Sequence, residues 1–388
     1  MNDPDLNVLC VFGTRPEAVK MAPIIKQLEH TEGVSSAVCV TAQHRQMLDQ
    51  ALNLFSIVPD YDLDVMRSDQ SLASLSTAVF NGLQPVFDEV KPDWVLIQGD
   101  TTTVMVTALT AYYQRVRVGH VEAGLRTGDK WQPFPEEINR RVASVIADLH
   151  FAPTKWAHDN LVDEGVPPES IAVTGNPVID ALLDVAARPY EPKDASLADI
   201  PEDHQVILVT AHRRENFGEP MERIFSALRN VAERYSGNVT MIYPVHLNPN
   251  VQEPAQRILG DVANIRLTGP MDYQAMVYWM KRARLILTDS GGLQEEAPAL
   301  GTPVLVMREV TERPEAIEAG TARLVGSDPE LIVAETVRLL EDPEAYEAMA
   351  KAVNPYGDGH AAERIVSALL RAHRSSAGQS LDPPSGKV

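Results

Sequence analysis

The feature that most constrains this chain is a rhythm. Short, continuously apolar, β-branched runs alternate with helical segments almost from end to end. The first run covers residues 6–12, a helical pattern follows over 17–29, and a second run occupies 36–41. Further runs stand at 94–98, 118–121, 149–152 and 171–173. A strand apolar at every position, rather than every second one, must be covered on both faces, as in a parallel sheet. Strands that alternate with helices then predict a doubly wound α/β architecture.

The rhythm breaks over residues 186–205, AARPYEPKDASLADIPEDHQ, which are rich in Pro, Asp and Ala and have no period. It resumes with runs at 206–210, 239–243, 265–267, 285–288 and 304–307. At 388 residues the chain is long enough for two domains. The expected division is an N-terminal Rossmann-like domain over 1–186 and a second over 187–360. A tail over 374–388 is expected to be disordered.

Composition excludes several classes. A formal net charge of −20 argues against nucleic acid as a partner, and an acidic surface with few lysines suits solubility in high salt. No apolar run approaches the ~18 residues of a membrane span. The acidic start, MNDPDLNVLCVFG, has no leader pattern, which predicts a cytoplasmic protein. The two cysteines, Cys10 and Cys39, fall inside apolar runs, so neither a disulfide framework nor a cysteine metal site is expected.

Polar residues gather where the strands stop. GTRPEAVKM follows the first run and brings Arg15 and Lys20 to a helix start, although an ordinary turn with a solvent-facing arginine would read the same. It is not GxGxxG. In QGDTTTV, Asp100 is either functional or part of a helix cap with Thr101–Thr103. GHVEAGLRTGD and PFPEEINRR place His120, Glu122, Arg126, Asp129, Glu136 and Arg140 close in sequence. Paired carboxylates suit general acid and base work, but Glu136 beside Pro135 also suits a helix start. No third ligand accompanies His120 and Glu122 at a metal spacing.

In LTDSGGLQEE a strand ends, Ser290-Gly291-Gly292 turns, and a helix begins. Free amides and close approach at such a turn hold a phosphate, and Glu295 or Glu296 is placed for a ribose. Arg313 adds a cation. In VTAHRRENFG, His212, Arg213 and Arg214 follow another strand of this acidic chain. A diphosphate accounts for them; a salt-bridge cluster is the alternative.

These motifs, with TAQHRQMLDQ, TGNPVID, PVHLNP, TERPEA and APALGTPVLV, resemble the non-hydrolysing UDP-N-acetylglucosamine 2-epimerases over roughly residues 6–370. The resemblance implies a GT-B-like pair of Rossmann-like domains with the site in the cleft. A C-terminal helix over 361–373 would return to the first domain, and the assembly would be a homodimer. It implies reversible interconversion of UDP-GlcNAc and UDP-ManNAc, through UDP elimination to 2-acetamidoglucal and re-addition, supplying ManNAc-type sugars for surface polysaccharide or glycan synthesis. It implies no metal and no NAD.

By motif position, Asp100, Glu122, Glu136 and His212 resemble the catalytic set. Arg15, Lys20, Met276, Ser290, Gly291, Gly292, Glu296 and Arg313 are the expected substrate contacts. Gln43, His44, Gln46, Arg213 and His246 match a second, activating UDP-GlcNAc site. Asp69 stands where some regulated members carry Arg, and its carboxylate would repel a diphosphate. Met276 stands where an aromatic is frequent over the base. The rivals are a GT-B glycosyltransferase using a UDP-sugar and a non-catalytic nucleotide-sugar sensor.

Overall fold

Strand β1 (Leu6–Phe12) is buried almost throughout, as its unbroken apolar run requires. The computed structural model that contains it describes residues 6–42, 45–67, 69–192 and 194–376. Beside β1 lie β2 (Val34–Val40), β3 (Tyr61–Asp62), β4 (Trp94–Gln98), β5 (Arg117–Val121), β6 (Leu149–Ala152) and β7 (Ile171–Val173). Their order is β3-β2-β1-β4-β5-β6-β7, and every pairing is parallel. The core on one face joins Leu9, Val11, Val95 and Ile97 to Val79 and Leu83 of the Leu72–Val90 helix and Val104 and Ala108 of the Thr102–Gln114 helix. Cys10 and Cys39 are free and buried, and burial pushes both thiols up to about 12.

A second sheet is made of β8 (Gln205–Thr210), β9 (Val239–Pro244), β10 (Ile265–Thr268), β11 (Ala283–Thr288), β12 (Val304–Val306) and β13 (Ala322–Leu324). Its order is β10-β9-β8-β11-β12-β13, again parallel throughout. Its core packs Ile207, Val209, Leu285 and Leu287 against Ile224, Phe225 and Leu228 of the Glu219–Arg234 helix.

The chain divides into two compact units. One comprises residues up to Ala181 with those from Tyr356 onward, and the other runs from Leu182 to Pro355. The return into the first unit is fixed locally: the Asn176 amide donates to the Tyr356 carbonyl at 2.7 Å. The Asp180 carboxylate then accepts the Ala361 and Ala362 amides at the start of the last helix, Ala361–Ser376. That helix packs against the Arg15–Glu29 helix. It runs three residues past the expected 373, so 374–376 belong to it and not to a tail; 377–388 lie outside the described residues.

The fold class is the expected one, GT-B-like in having two Rossmann-like parallel-sheet units. Two edge strands escaped the sequence reading. β3 is two residues long and β13 reads Ala-Arg-Leu, so neither forms an apolar run. In each sheet the strand order reverses once, at β1 and β4 in the first and at β8 and β11 in the second. Loops leaving the carboxyl ends of such a strand pair diverge and open a crevice.

Candidate active site

Several of the motifs singled out in the sequence sit on those loops. In the first unit, GTRPE follows β1 and GDTTT follows β4. A residue not singled out, Glu17, joins them. It is only 3% exposed. Its Oε2 accepts the Gly13 and Thr14 amides at 2.9 and 2.7 Å and the Thr14 hydroxyl at 2.8 Å, while Oε1 accepts the Thr101 hydroxyl at 2.7 Å. Burial pushes its carboxyl pKa up, and the four donors oppose that push. The sequence signal for Glu17 was the capping-box spacing Thr14-x-x-Glu17.

Thr101, not Asp100, caps the Thr102–Gln114 helix. That frees the Asp100 carboxylate, which meets Arg140 Nη2 at 2.5 Å, while Asn139 donates to the Asp100 carbonyl at 2.9 Å. Arg140 and Asn139 belong to the Glu136–Ile146 helix, so the element that Glu136 opens is bonded directly to Asp100. Glu136 itself is half-buried, and its side chain makes no hydrogen bond or ion pair with a described residue. Its neighbour Glu137 is fully buried and holds Arg140, Arg141 and the Thr127 amide.

Glu122 follows β5 with φ of 63°, a left-handed conformation that costs a residue with a Cβ and recurs at functional sites. Its side chain is 7% exposed; Lys20 Nζ lies 2.5 Å from Oε2, and Asn176 Nδ2 donates to the same oxygen at 2.7 Å. Lys20, expected to meet substrate, is therefore engaged with Glu122. A Cβ built on Gly99 would stand 4.0 Å from Glu122 Oε1, which places Glu122 next to the Asp100 loop. Under both loops His120 Nε2 meets the Gly99 carbonyl at 2.7 Å. Desolvation lowers His120 to about 3, so the buried ring is neutral, and its contact with the Gly99 carbonyl ties β5 to the Asp100 loop. Arg126 pairs with Glu164 and donates to Ser144, a structural role. Arg15 opens its helix half-buried, its side chain without a hydrogen bond or ion pair to a described residue.

The second unit repeats the device. Asp289, directly after β11, is completely buried. Its Oδ2 accepts the His212 and Arg213 amides at 2.7 and 2.8 Å and Asn216 Nδ2 at 3.2 Å, tying the loop after β8 to the loop after β11. The His212 ring stacks on His246, with centroids 5.5 Å apart and planes 11° from parallel. Burial lowers the His212 pKa; Asp289 opposes that shift, and Arg213 and His246 add to it.

Ser290 gives no side-chain cap to the Gly291–Glu296 helix. A Cβ built on Gly291 would stand 4.0 Å from Arg213 Nη2 and 4.0 Å from Arg313 Cζ and Nη2, so both guanidinium groups converge where Gly291 leaves room. Arg213 makes no ion pair with a described residue, whereas Arg313 Nε donates to the buried Glu295. Glu295 is thus spoken for. Glu296 is half-buried and accepts from the Tyr273 hydroxyl at 3.2 Å. Met276 lies on the helix that Tyr273 opens. Of the expected activating positions, Gln43 and His44 lie outside the described residues, as does the side chain of Gln46. Arg213 and His246 both flank His212. Asp69 is exposed, with φ of 54°.

Two Rossmann-like units carry, respectively, anchored carboxylates and paired arginines at a glycine turn. That is the class of enzyme acting on an anionic nucleotide-linked substrate. Residues 26–370 match the family described as UDP-N-acetylglucosamine 2-epimerase. The chain is 55% identical over 371 residues to the UDP-N-acetylglucosamine 2-epimerase of Salmonella typhimurium, covering 94% of this chain and 98% of the other. Its fold is similar to that of the UDP-GlcNAc 2-epimerase from Neisseria meningitidis bound to UDP-GlcNAc, with a TM-score of 0.86 and 48% identity over 94% of this chain and 100% of that one. A putative UDP-N-acetylglucosamine 2-epimerase from Listeria monocytogenes superposes with a TM-score of 0.88 and 46% identity over 99% of both chains. The chain belongs to the UDP-N-acetylglucosamine 2-epimerase family and is an isomerase.

Proposed function

We propose that the chain interconverts UDP-GlcNAc and UDP-ManNAc by eliminating and re-adding UDP. One observation carries this reading. Asp100 and Glu122 stand on adjacent loops, each held by its own cation, Arg140 and Lys20. A transferase needs one base for an acceptor, and a sensor needs none; two fixed carboxylates on neighbouring strand ends suit removal of a proton and its return to the other face.

The C2 hydrogen of the sugar is not next to a carbonyl and is poorly acidic. Breaking the C1–O bond first sends the electron pair to the β-phosphate oxygen and leaves an oxocarbenium-like C1. A carboxylate then takes the C2 proton, and the C–H pair becomes the C1=C2 bond of 2-acetamidoglucal. A second acid protonates C2 from the opposite face, and the phosphate oxygen re-adds at C1. Asp100, Glu122 and Glu136 form the acid and base set. His212, Arg213, Arg313 and the Ser290-Gly291-Gly292 amides stabilise the departing diphosphate. Glu296 meets the ribose, Met276 covers the base, and Arg15 adds a contact to the phosphates. The product supplies ManNAc-type units for polysaccharide or glycan synthesis in the cytoplasm.

We propose a homodimer as well. Tyr112 and Tyr113, on the Thr102–Gln114 helix, and Val145, on the Glu136–Ile146 helix that packs against it, are 65%, 69% and 88% exposed. Apolar surface of that kind marks association. Sedimentation velocity should give twice the 42.6 kDa chain mass, and Tyr113→Glu should shift the population to single chains.

The reaction is tested by proton NMR with UDP-GlcNAc in heavy water. Loss of the C2 proton signal while UDP-ManNAc appears is the expected course. Free ManNAc with UDP as the sole products, or no exchange at C2, overturns the reading.

A further inference from the structure

Asp289 has more capacity than its loop-tying role uses. Oδ2 is filled by three donors. Oδ1 is buried and has no hydrogen-bond partner among the described residues. His212 Nδ1 stands 3.5 Å from it. That distance is too long for a formed hydrogen bond, but catalytic contacts commonly tighten only when ligand is bound. The His212 backbone amide is itself pinned by Oδ2, so ring and carboxylate are held in register by the same residue. A buried acceptor without a donor is costly, and the imidazole is the donor placed to satisfy it.

We propose that Asp289 is the positioning residue of His212: Oδ1 accepts the Nδ1 proton, which directs Nε2 at the diphosphate and supports the imidazolium form in which Nε2 gives its proton to the departing phosphate oxygen and takes it back on re-addition. This rests on the reading that His212 assists loss of UDP. The charged and titratable groups facing the ring are Asp289, Arg213 and His246. Asp289 alone among them is anionic, and it is the group that favours imidazolium whenever Nε2 carries a proton to or from the phosphate oxygen.

The first measurement uses the unaltered protein with 15N-labelled histidine, His212 being assigned by its loss in His212→Asn. Long-range proton–nitrogen correlation spectra at neutral pH should show the His212 proton on Nδ1. A proton on Nε2 with Nδ1 bare overturns the proposal without recourse to any Asp289 variant. In Asp289→Asn, the amide oxygen can keep the three Oδ2 donors while its NH2 faces Nδ1 and forces the opposite tautomer. Turnover should fall about a hundredfold or more, with UDP affinity changed only a few-fold. The double variant Asp289→Asn/His212→Asn should be no slower than His212→Asn alone. Wild-type turnover in Asp289→Asn, or multiplying losses in the double variant, overturns the proposal. Absence of C2 exchange in the wild type is a failure of the functional reading instead, and the tautomer spectrum still decides the role of Asp289.

Discussion

The Glu17 carboxylate accepts the Thr101 hydroxyl at 2.7 Å, joining two loops that lie 84 residues apart in the chain. The Arg15 loop and the Asp100 loop are thereby one mechanical piece. Each donor left without Glu17 in this buried place costs about 1–3 kcal/mol. Glu17→Ala should therefore lower the unfolding midpoint and reduce kcat, whereas Thr101→Val, which removes one of the four contacts together with the cap of the Thr102–Gln114 helix, should be milder. Calorimetry and turnover on both variants check the ranking; a harmless Glu17→Ala would refute it.

Lys20 and Asn176 share one oxygen of Glu122. Truncating either removes one restraint from a residue in a strained backbone conformation. Lys20→Met and Asn176→Ala should each lower kcat about tenfold or more, since misplacing a reacting group is costly. UDP binding should stay within a few-fold, because the phosphate contacts proposed above, Arg15 apart, are on other elements. Titration calorimetry beside kinetics separates the two; a loss of UDP affinity matching the loss of turnover would return Lys20 to the phosphate contacts.

Gly291 is small because of what stands over it. The built Cβ distances of 4.0 Å to Arg213 and Arg313 are ordinary contacts, so Gly291→Ala should fold normally. A methyl there occupies the space where an anion would meet both guanidinium groups. Losing one charge-assisted hydrogen bond is worth about 1.5–3 kcal/mol, so UDP should bind at least tenfold more weakly. Unaltered UDP binding would move the diphosphate elsewhere.

Gly124 tests the fold around Glu122. Its φ is +91°, and a built Cβ would lie 2.1 Å from the Ala157 carbonyl oxygen. Nothing lies within 4 Å of the equivalent atom on Gly128, whose φ is +81°. Gly124→Ala must displace the Lys155–Asp163 helix and should unfold the protein many degrees earlier. Gly128→Ala should show only the backbone strain of about 1–3 kcal/mol. Thermal midpoints compare them.

Acid should destabilise the first unit through its buried histidines. Desolvation lowers His120 to about 3 and His150 to about 4, against 6.5 for the free side chain. Below 6.5 the unfolded chain binds protons that the folded chain does not. Stability is therefore full above 6.5 and falls with pH, by up to about 1.4 kcal/mol per pH unit for each group. The losses end near 4 for His150 and near 3 for His120. Urea midpoints across this range, with and without His120→Gln, measure the slope; an unchanged slope in the variant would remove His120 from the account.

The sequence by itself determined the strand-and-helix rhythm, because burial on both faces leaves an unbroken apolar run such as 94–98. It also placed the polar motifs at strand ends, where an α/β fold must put its chemistry. The tertiary structure decided what each motif residue touches. The turn pattern left Glu295 and Glu296 open and only the resemblance favoured Glu296; folding shows Glu295 committed to Arg313 while Glu296 meets Tyr273. Thr101 rather than Asp100 became the cap, and Lys20 went to Glu122. Glu17 and Asp289 looked like an ordinary first-turn carboxylate and a strand-end aspartate. Their roles come from partners brought in across the switch point of each sheet, and such long-range pairing is set by strand order, which no local pattern encodes.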